Sequence, residues 1–429
     1  MALTRSSLSQ LTDPTAFLWS AGIEDTFITD PWPETGRILD EYELTGHYHY
    51  WKQDINLLKE LGVKVVRYGT PWYRISPAQG KWDWSWTDRS LEYLLESGID
   101  PVVDLVHYGV PAWIEGAFLN PDFPQHMAEY ASRLAERFKG RIHAYTPLNE
   151  PRITAWYCGK LGWWPPYKRG WKGFVQLMLG ICRGIVLTVE ALQAVDSEIV
   201  PVHVDATDLY ETAEPALEDE VRRRQEIVFL ALDLISGRIV PGHPLYEWLL
   251  KQGVRDESLV WFKEHAIDLP LIGINLYPMY SRKILYSSPQ GVRIRMPYSS
   301  GEIVERLGEL YWQRYQSPLF ISETASMGSI KRRRAWLDSS VESVKRTRSR
   351  GIPMVGYTWW PMLGIVTWAY RQGSHPAAYY IKQMGLWDLD PDPAANLRRI
   401  HTPLVDTYRE LVAGGCEMVG NLELEKEGV

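Results

Sequence analysis

The sequence predicts an α/β fold: a single (β/α)8 TIM barrel spanning residues 1–429 as one domain. Three observations point to it. Short apolar runs alternate with amphipathic helical segments almost from end to end. Eight strand–helix repeats follow one another with no linker, low-complexity tract or break in composition. A doubly wound sheet is the alternative, but it usually carries a glycine-rich phosphate turn after its first strand, and "WSAGIEDTF" has none. The length of 429 residues exceeds an average domain, yet barrels reach that size when their loops carry insertions.

Taken in order, "AFLWSAGI" (16–23) reads as the first strand. In "HYWKQDINLLKELG" the residues Trp51, Ile55, Leu58 and Leu61 share one helical face, and Gly62 stops the helix. "VKVVRYG" (63–69) is the second strand, and the helix "WTDRSLEYLLESG" follows with Thr87 or Asp88 as its expected cap. "DPVVDLVH" (100–107), a helix over about 123–139 and "RIHAYTPLNE" (141–150) come next. A long helix over about 171–195 leads to "EIVPVHVDAT" (198–207), an acidic loop and a helix over about 221–235. "LPLIGINLYP" (269–278) is the sixth strand, and the spacing around Pro289-Gln290-Gly291 predicts a hairpin. A helix (303–315), "PLFISETA" (318–325), a basic helix, "PMVGYTWW" (353–360) and a helix over about 398–412 complete the repeats. The tail, from about 416 to 429, is expected to fray.

Composition narrows the function. Net charge is −7, which argues against nucleic acid as a partner, since phosphate binding needs a basic face. The most basic window, Lys331 to Arg350, reads as a solvated helix face. Three cysteines without a CxxC pair fit a reducing compartment, and no zinc-type cluster is visible, so no metal and no cofactor is expected. Cys158 lies close after Glu150 but reads as a bystander. "MALTRSSLSQLTDPTAF" lacks an apolar signal core, and "FVQLMLGICRGIVLTVEAL" is broken by Gln176, Arg183 and Glu190. A cytoplasmic protein with no membrane partner is therefore expected; the oligomeric state stays open. The 20 Trp and 24 Tyr offer flat faces that stack on sugar rings, although a large core uses them too.

A barrel of this kind places its active site at the C-terminal ends of the strands. The residues there form a chemically coherent set: Glu24 and Asp25, Arg67, His107, Asn149 and Glu150, Asp205, Asn275 and Tyr277, Glu323, then Trp359 and Trp360. Two glutamates on strands four and seven suggest glycoside hydrolysis, which needs two carboxyls flanking the scissile bond. Unrelated strand-end acids in surface ion pairs are the bland alternative.

The motifs carry a resemblance. "TPLNEP" resembles the TxNEP acid/base motif of glycoside hydrolase family 1, and "FISETA" resembles its ITENG nucleophile motif. "VHYGVPAWI", "LIGINLYP" and "GYTWWPM" stand in order where that family has HWDLP, GxNYY and GYFVWSLMDN. The resemblance implies that Glu150 is the general acid and then base, and that Glu323 is the nucleophile of a retaining β-glycosidase. It implies further that Asn149 holds the sugar 2-hydroxyl, Arg67 and Tyr277 orient Glu323, and His107 touches a glycone hydroxyl. Asn275 would line the pocket, with Trp360 as the platform under the sugar and Trp368 as a second aromatic wall. The partner would be a small glycoside or oligosaccharide. Trp113, Trp163 and Trp164 could shape the aglycone side or simply pack, and Asp205 reads as structural.

Three departures touch the glycone pocket. Simple alignment puts Phe27 where the family has a glycone-binding Gln, with Glu24 or Asp25 nearby. Thr367 stands where the family has a Glu that grips two hydroxyls, and the nucleophile motif ends in "ETA". Glucose or galactose specificity is therefore not carried over. Thr367, Tyr370 and Arg371 bring a 6-phospho-β-glycosidase into view. A transglycosidase and a non-catalytic carbohydrate-binding barrel stay open beside it.

Overall fold

The computed structural model describes residues 11–420 and 422. Eight parallel strands close into a barrel: β1 (Leu18–Gly22), β2 (Val65–Gly69), β3 (Asp100–Asp104), β4 (Ala144–Thr146), β5 (Val200–Ala206), β6 (Leu271–Asn275), β7 (Leu319–Thr324) and β8 (Met354–Trp359). They pair in sequence order, and β8 closes on β1. A helix follows each strand: α1 (His47–Leu61), α2 (Ser85–Glu96), α3 (Phe123–Arg137), α4 (Gly170–Val195), α5 (Glu218–Ile235), α6 (Glu302–Tyr315), α7 (Ile330–Ser349) and α8 (Pro403–Gly414). The predicted fold class is the observed one.

The barrel interior is layered. Leu18, Val65, Val102, Ala144, Val202, Leu271, Phe320 and Val355, one from each strand, form with Leu11 and Val204 a buried apolar cluster separate from the helix–sheet core. Strand side chains repeat every second residue, so the next inward layer is Ser20, Arg67, Asp104, Thr146 and Ser322. An apolar floor thus carries a polar storey at the C-terminal end, where a barrel keeps its chemistry.

Several elements differ from their sequence reading. β4 is three residues long, because the chain leaves the sheet at Pro147. α8 starts at Pro403 and not near 398, since Arg399–His401 pairs as a strand with Trp387–Leu389. α2 has no side-chain cap; Asp88 is drawn instead into an ion pair with Arg137 of α3. The hairpin forms over Arg282–Ser288 and Gly291–Arg295, and Leu209–Thr212, inside the expected acidic loop, joins it as a third strand. Two short helices, Tyr246–Lys251 and Asp256–Glu264, carry no predicted element. α7 is not simply a solvated face: Arg333 and Arg348 are buried and donate to the backbone oxygens of Gly385 and of Ala16 and Thr15. Of the expected frayed tail, Gly415–Met418 forms a 3-10 turn and Val419 is buried, while residues 421 and 423–429 lie outside the described residues. α4 is long and apolar enough to cross a membrane by length and composition, yet it packs between α3 and α5 with its apolar positions buried. Much of the tryptophan is structural. Trp72 and Trp84 lie parallel to Tyr130 at 5.0 and 6.2 Å, and Trp82 continues the stack on Trp84.

Two contacts hold the barrel's layers together, one on its helical face and one at the end of β1. Asp54 of α1 accepts 2.8 Å hydrogen bonds from Arg399 Nε and Nη2 and meets His47 Nδ1 at 2.8 Å. Burial pushes Asp54 up, but His47 and Arg399 outweigh it and hold the carboxyl below its ordinary value. A depressed folded pKa gives stability that is present above the ordinary carboxylate range and lost as pH falls through the depressed value. Asp54→Asn should therefore cost about 3–5 kcal/mol at neutral pH and shrink the acid-side loss, read from urea melts at several pH values. At the end of β1, a Cβ on Gly22 would lie 1.8 Å from the Trp360 ring. Gly22→Ala should displace that indole and cost about 1–3 kcal/mol in the same melts; an unchanged midpoint would show that Trp360 is not seated on β1.

Candidate active site

Arg67 is the hub. Its side chain points inward from the middle of β2 and is fully buried. Nη1 donates to Glu323 Oε1 at 2.5 Å, and Nη2 donates to Asp104 and, at 3.0 Å, to Asn149 Oδ1. A planar guanidinium with fixed donor directions sets the relative positions of three acceptors from β3, β4 and β7.

Glu323 should not face inward by simple alternation, because Ser322 already does. Ser322 Oγ donates to Asn275 Oδ1 at 2.7 Å inside the barrel. The pairing of β7 shifts register between Ile321 and Glu323 against β6, and between Ile321 and Thr324 against β8. This bulge turns a second consecutive side chain toward the pocket. Glu323 Oε2 then accepts from Tyr277 Oη at 2.7 Å.

Asn149 and Glu150 stand where the chain has left β4. Their backbone N–H groups donate to Val106 O at 2.9 Å and Val204 O at 3.0 Å, which pins the exit between β3 and β5. Glu150 adopts φ 46°, left-handed for a non-glycine residue, and Pro151 starts the next helical turn. Such strain gathers at functional positions. Glu150 Oε1 accepts from Asn275 Nδ2 at 2.8 Å, and Oε2 accepts from Tyr108. Asn149 Oδ1 is committed to Arg67, so its amide Nδ2 faces His107 Nε2 at 2.9 Å. His107 Nδ1 lies 2.7 Å from Asp25 and 3.2 Å from Asp104, and against the effect of burial these two carboxylates hold the imidazole well above its ordinary value.

Burial raises both Glu150 and Glu323 above the ordinary carboxyl range, and the charge of Glu150 adds to the rise at Glu323. Against this, Tyr108 and Asn275 pull Glu150 down by hydrogen bonding, while Arg67, His107 and Tyr277 pull Glu323 down. The two carboxyls titrate as one pair. A guanidinium at 2.5 Å from Glu323 and no cation so close to Glu150 put the shared proton on Glu150.

The structure gathers Arg67, Asn149, Glu150, Asn275, Tyr277, Glu323 and His107 into one network. Asn275 touches Glu150 and so positions that carboxyl. Trp360 is 1% exposed, its ring parallel to His107 at 5.8 Å and under Arg67 at 4.7 Å, so it is a packed wall and not a bare platform. Its Nε1 donates to Glu24 Oε2 at 3.2 Å, so Glu24 reaches the site. Phe27 does not: it is buried against Tyr42 and Tyr73. Thr367 precedes the turn Trp368–Tyr370 without a side-chain capping bond and donates its N–H to Tyr380 O, while Trp368 packs on Tyr108, Tyr157 and Trp164. Trp113 is held by Ser76 O, and Trp163 is left exposed. Burial pushes the Cys158 thiol up, away from nucleophile chemistry, and pushes Asp205 to about 8 beside Arg152.

Sequence reasoning missed Tyr108, Asp104 and the contact of Asp25 with His107. Asp104 was legible as an acid two residues after the inward Val102, the one signal available. Among the described residues, Asp25, Asp104 and His107 lie close enough to share a metal ion, as do Glu226, Asp233 and His243. Each group already holds a guanidinium, Arg67 or Arg314, which repels a second cation.

Residues 20–264 match the family described as Glycosyl hydrolase family 1. Beta-glucosidase A of Thermotoga maritima is 36% identical over 115 residues, 25% of this chain and 26% of that protein. Beta-glucosidase 47 of Arabidopsis thaliana is 27% identical over 247 residues, 56% of this chain and 42% of that protein. The chain spans about a quarter of the length of several of the curated relatives it matches. A solved family 1 β-glucosidase from Thermotoga maritima superposes with a TM-score of 0.79 at 20% identity, covering 94% of this chain and 98% of that one; its complex with deoxynojirimycin superposes equally well. That likeness carries the barrel alone. With more than half of the sequence inside the matched region, the chain belongs to glycosyl hydrolase family 1.

Proposed function

We propose that the protein is a retaining β-glycosidase that hydrolyses a small glycoside or oligosaccharide by double displacement. One observation carries this reading: two buried carboxyls, each held at both oxygens by its own donors, with the guanidinium on one of them only. Glu323 attacks the anomeric carbon as the glycosidic C–O bond breaks, and Glu150 gives its proton to the departing oxygen. Glu150, now a carboxylate, takes a proton from water, whose oxygen attacks the same carbon and releases Glu323. Asn149, fixed by Arg67 and facing the same space, suits a sugar hydroxyl beside the reacting carbon.

A 6-phosphosugar reading gains little support. Arg371 spends its guanidinium on Asp30 O, Trp163 O and Tyr167, which leaves it no free face for a phosphate. Transglycosylation would use the same intermediate with an acceptor hydroxyl in place of water. A binding-only barrel would not require the arrangement around both carboxyls.

Aryl β-glycosides test the reading. Glu323→Gln should lower kcat/KM by at least about 10³-fold, and a 2-fluoroglycoside should leave a covalent adduct on the wild type that mass spectrometry maps to Glu323. Glu150→Ala should lose about 10²–10⁴-fold on poor leaving groups, far less on good ones, and azide should rescue its second step. No turnover of any glycoside and no adduct would sink the proposal. The pH dependence follows from the pair. Activity should fall as pH rises through the upper step of the pair, which removes the acid, and fall again as pH drops through its lower step, which protonates the nucleophile. A kcat/KM profile with both limbs checks this.

A further inference from the structure

Tyr108 lies one residue past the predicted histidine, and the double displacement gives it no step of its own. Its backbone adopts φ 71°, left-handed for an aromatic residue, which is strained. The next residue explains the turn: at Gly109 a Cβ would lie 1.5 Å from Phe27 O, so only glycine lets the loop press onto the short strand Phe27–Ile28 that follows β1. The turn aims the Tyr108 ring into the barrel mouth, where it is 3% exposed. His107, Trp164 and Trp368 clamp it at 4.5, 5.1 and 5.3 Å. The hydroxyl so placed donates to Glu150 Oε2, while Asn275 holds Oε1.

We propose that Tyr108 is a positioning residue for Glu150: its hydroxyl holds one carboxyl oxygen and, with Asn275 on the other, fixes the plane in which Glu150 gives and takes its proton. The inference rests on the glycosidase reading and adds to it a role for a residue that stands where the HWDLP pattern has Trp. A free carboxyl rotates about its last bond, whereas one held at both oxygens keeps a single orientation through both half-reactions. Donation by a phenol favours the carboxylate, so Tyr108 also restrains the rise that burial imposes. The phenol itself stays protonated, because burial and the Glu150 charge raise it well above its usual range. Other charged or titratable groups face Glu150 as well. They are His107 beyond β3, Arg152 and Tyr157 after β4, Asp205 of β5, Tyr277 beyond β6 and Glu323 of β7. Among the described residues, only Tyr108 and Asn275 donate hydrogen bonds to its carboxyl oxygens.

Tyr108→Phe keeps the ring in its clamp and removes only the donor. The alkaline limb of kcat/KM should move up by about one pH unit, the worth of a hydrogen bond to a charged group. Poor leaving groups should lose on the order of tenfold in kcat and good ones little. In protein labelled with ¹³C at Glu carboxyls, the Glu150 resonance, assigned with Glu150→Gln, should titrate higher by the same shift. An unchanged alkaline limb with an unchanged ¹³C midpoint would overturn the inference while leaving the glycosidase reading intact. If the wild type turns over no glycoside, that reading fails, and the ¹³C midpoint alone decides for or against the Tyr108 contact.

Discussion

The site hangs on one buried cation. Arg67 has no water to solvate it, so its charge must be met by acceptors fixed in the walls. Those acceptors are Glu323, Asp104 and Asn149, and each then holds something else. Asp104 contributes to the grip on His107, Asn149 turns its amide toward the same ring, and Glu323 draws the Tyr277 hydroxyl. A single guanidinium on β2 thereby orders residues from β3, β4, β6 and β7. Removing it would strand two carboxylates in a dry interior, which is why the geometry and the stability of this end of the barrel are inseparable.

The same dryness sets the proton inventory. In water two neighbouring carboxyls would both ionise; buried together they hold one proton between them. The asymmetry comes from where the positive charge sits. Neutral donors surround Glu150, and a cation contacts Glu323. Donor identity thus distinguishes two chemically identical side chains, and burial amplifies the distinction by weakening every competing interaction with solvent.

The barrel and the pair of carboxyls that it brings together were legible because they rest on patterns that local sequence carries. Apolar runs of strand length recur eight times, Arg67 lies inside the second of them, and Asn149, Glu150, Asn275 and Glu323 stand at or just past strand ends in recognisable motifs. What was not legible depends on backbone turns or on distant partners. Tyr108 points inward only because of a left-handed backbone. Glu24 and not Phe27 reaches the pocket because of how the chain bends after β1. Asp88 gave up a capping role for an arginine on another helix. Arg333 and Arg348 look like surface residues in a basic run, yet carbonyls from far along the chain take them inside. The tryptophan count could not separate sugar platforms from core, and Trp72, Trp82 and Trp84 stack with Tyr130 as part of the framework.

The bulge in β7 has a consequence for tolerance to change. A strand is a two-beat rhythm, and Ser322 and Glu323 are consecutive beats that both fall on the same side. That is possible only because the strand is out of step with its neighbours on either side at that point. Deleting one residue between Ile321 and Thr324 would restore the rhythm, leave the strand pairing intact, and send one of the two side chains out into the helix layer. The protein would keep its shape and lose a group the pocket is built around. Conversely, chain length in this short window is constrained more tightly than composition: residue types elsewhere in β7 can vary with packing, but the count cannot.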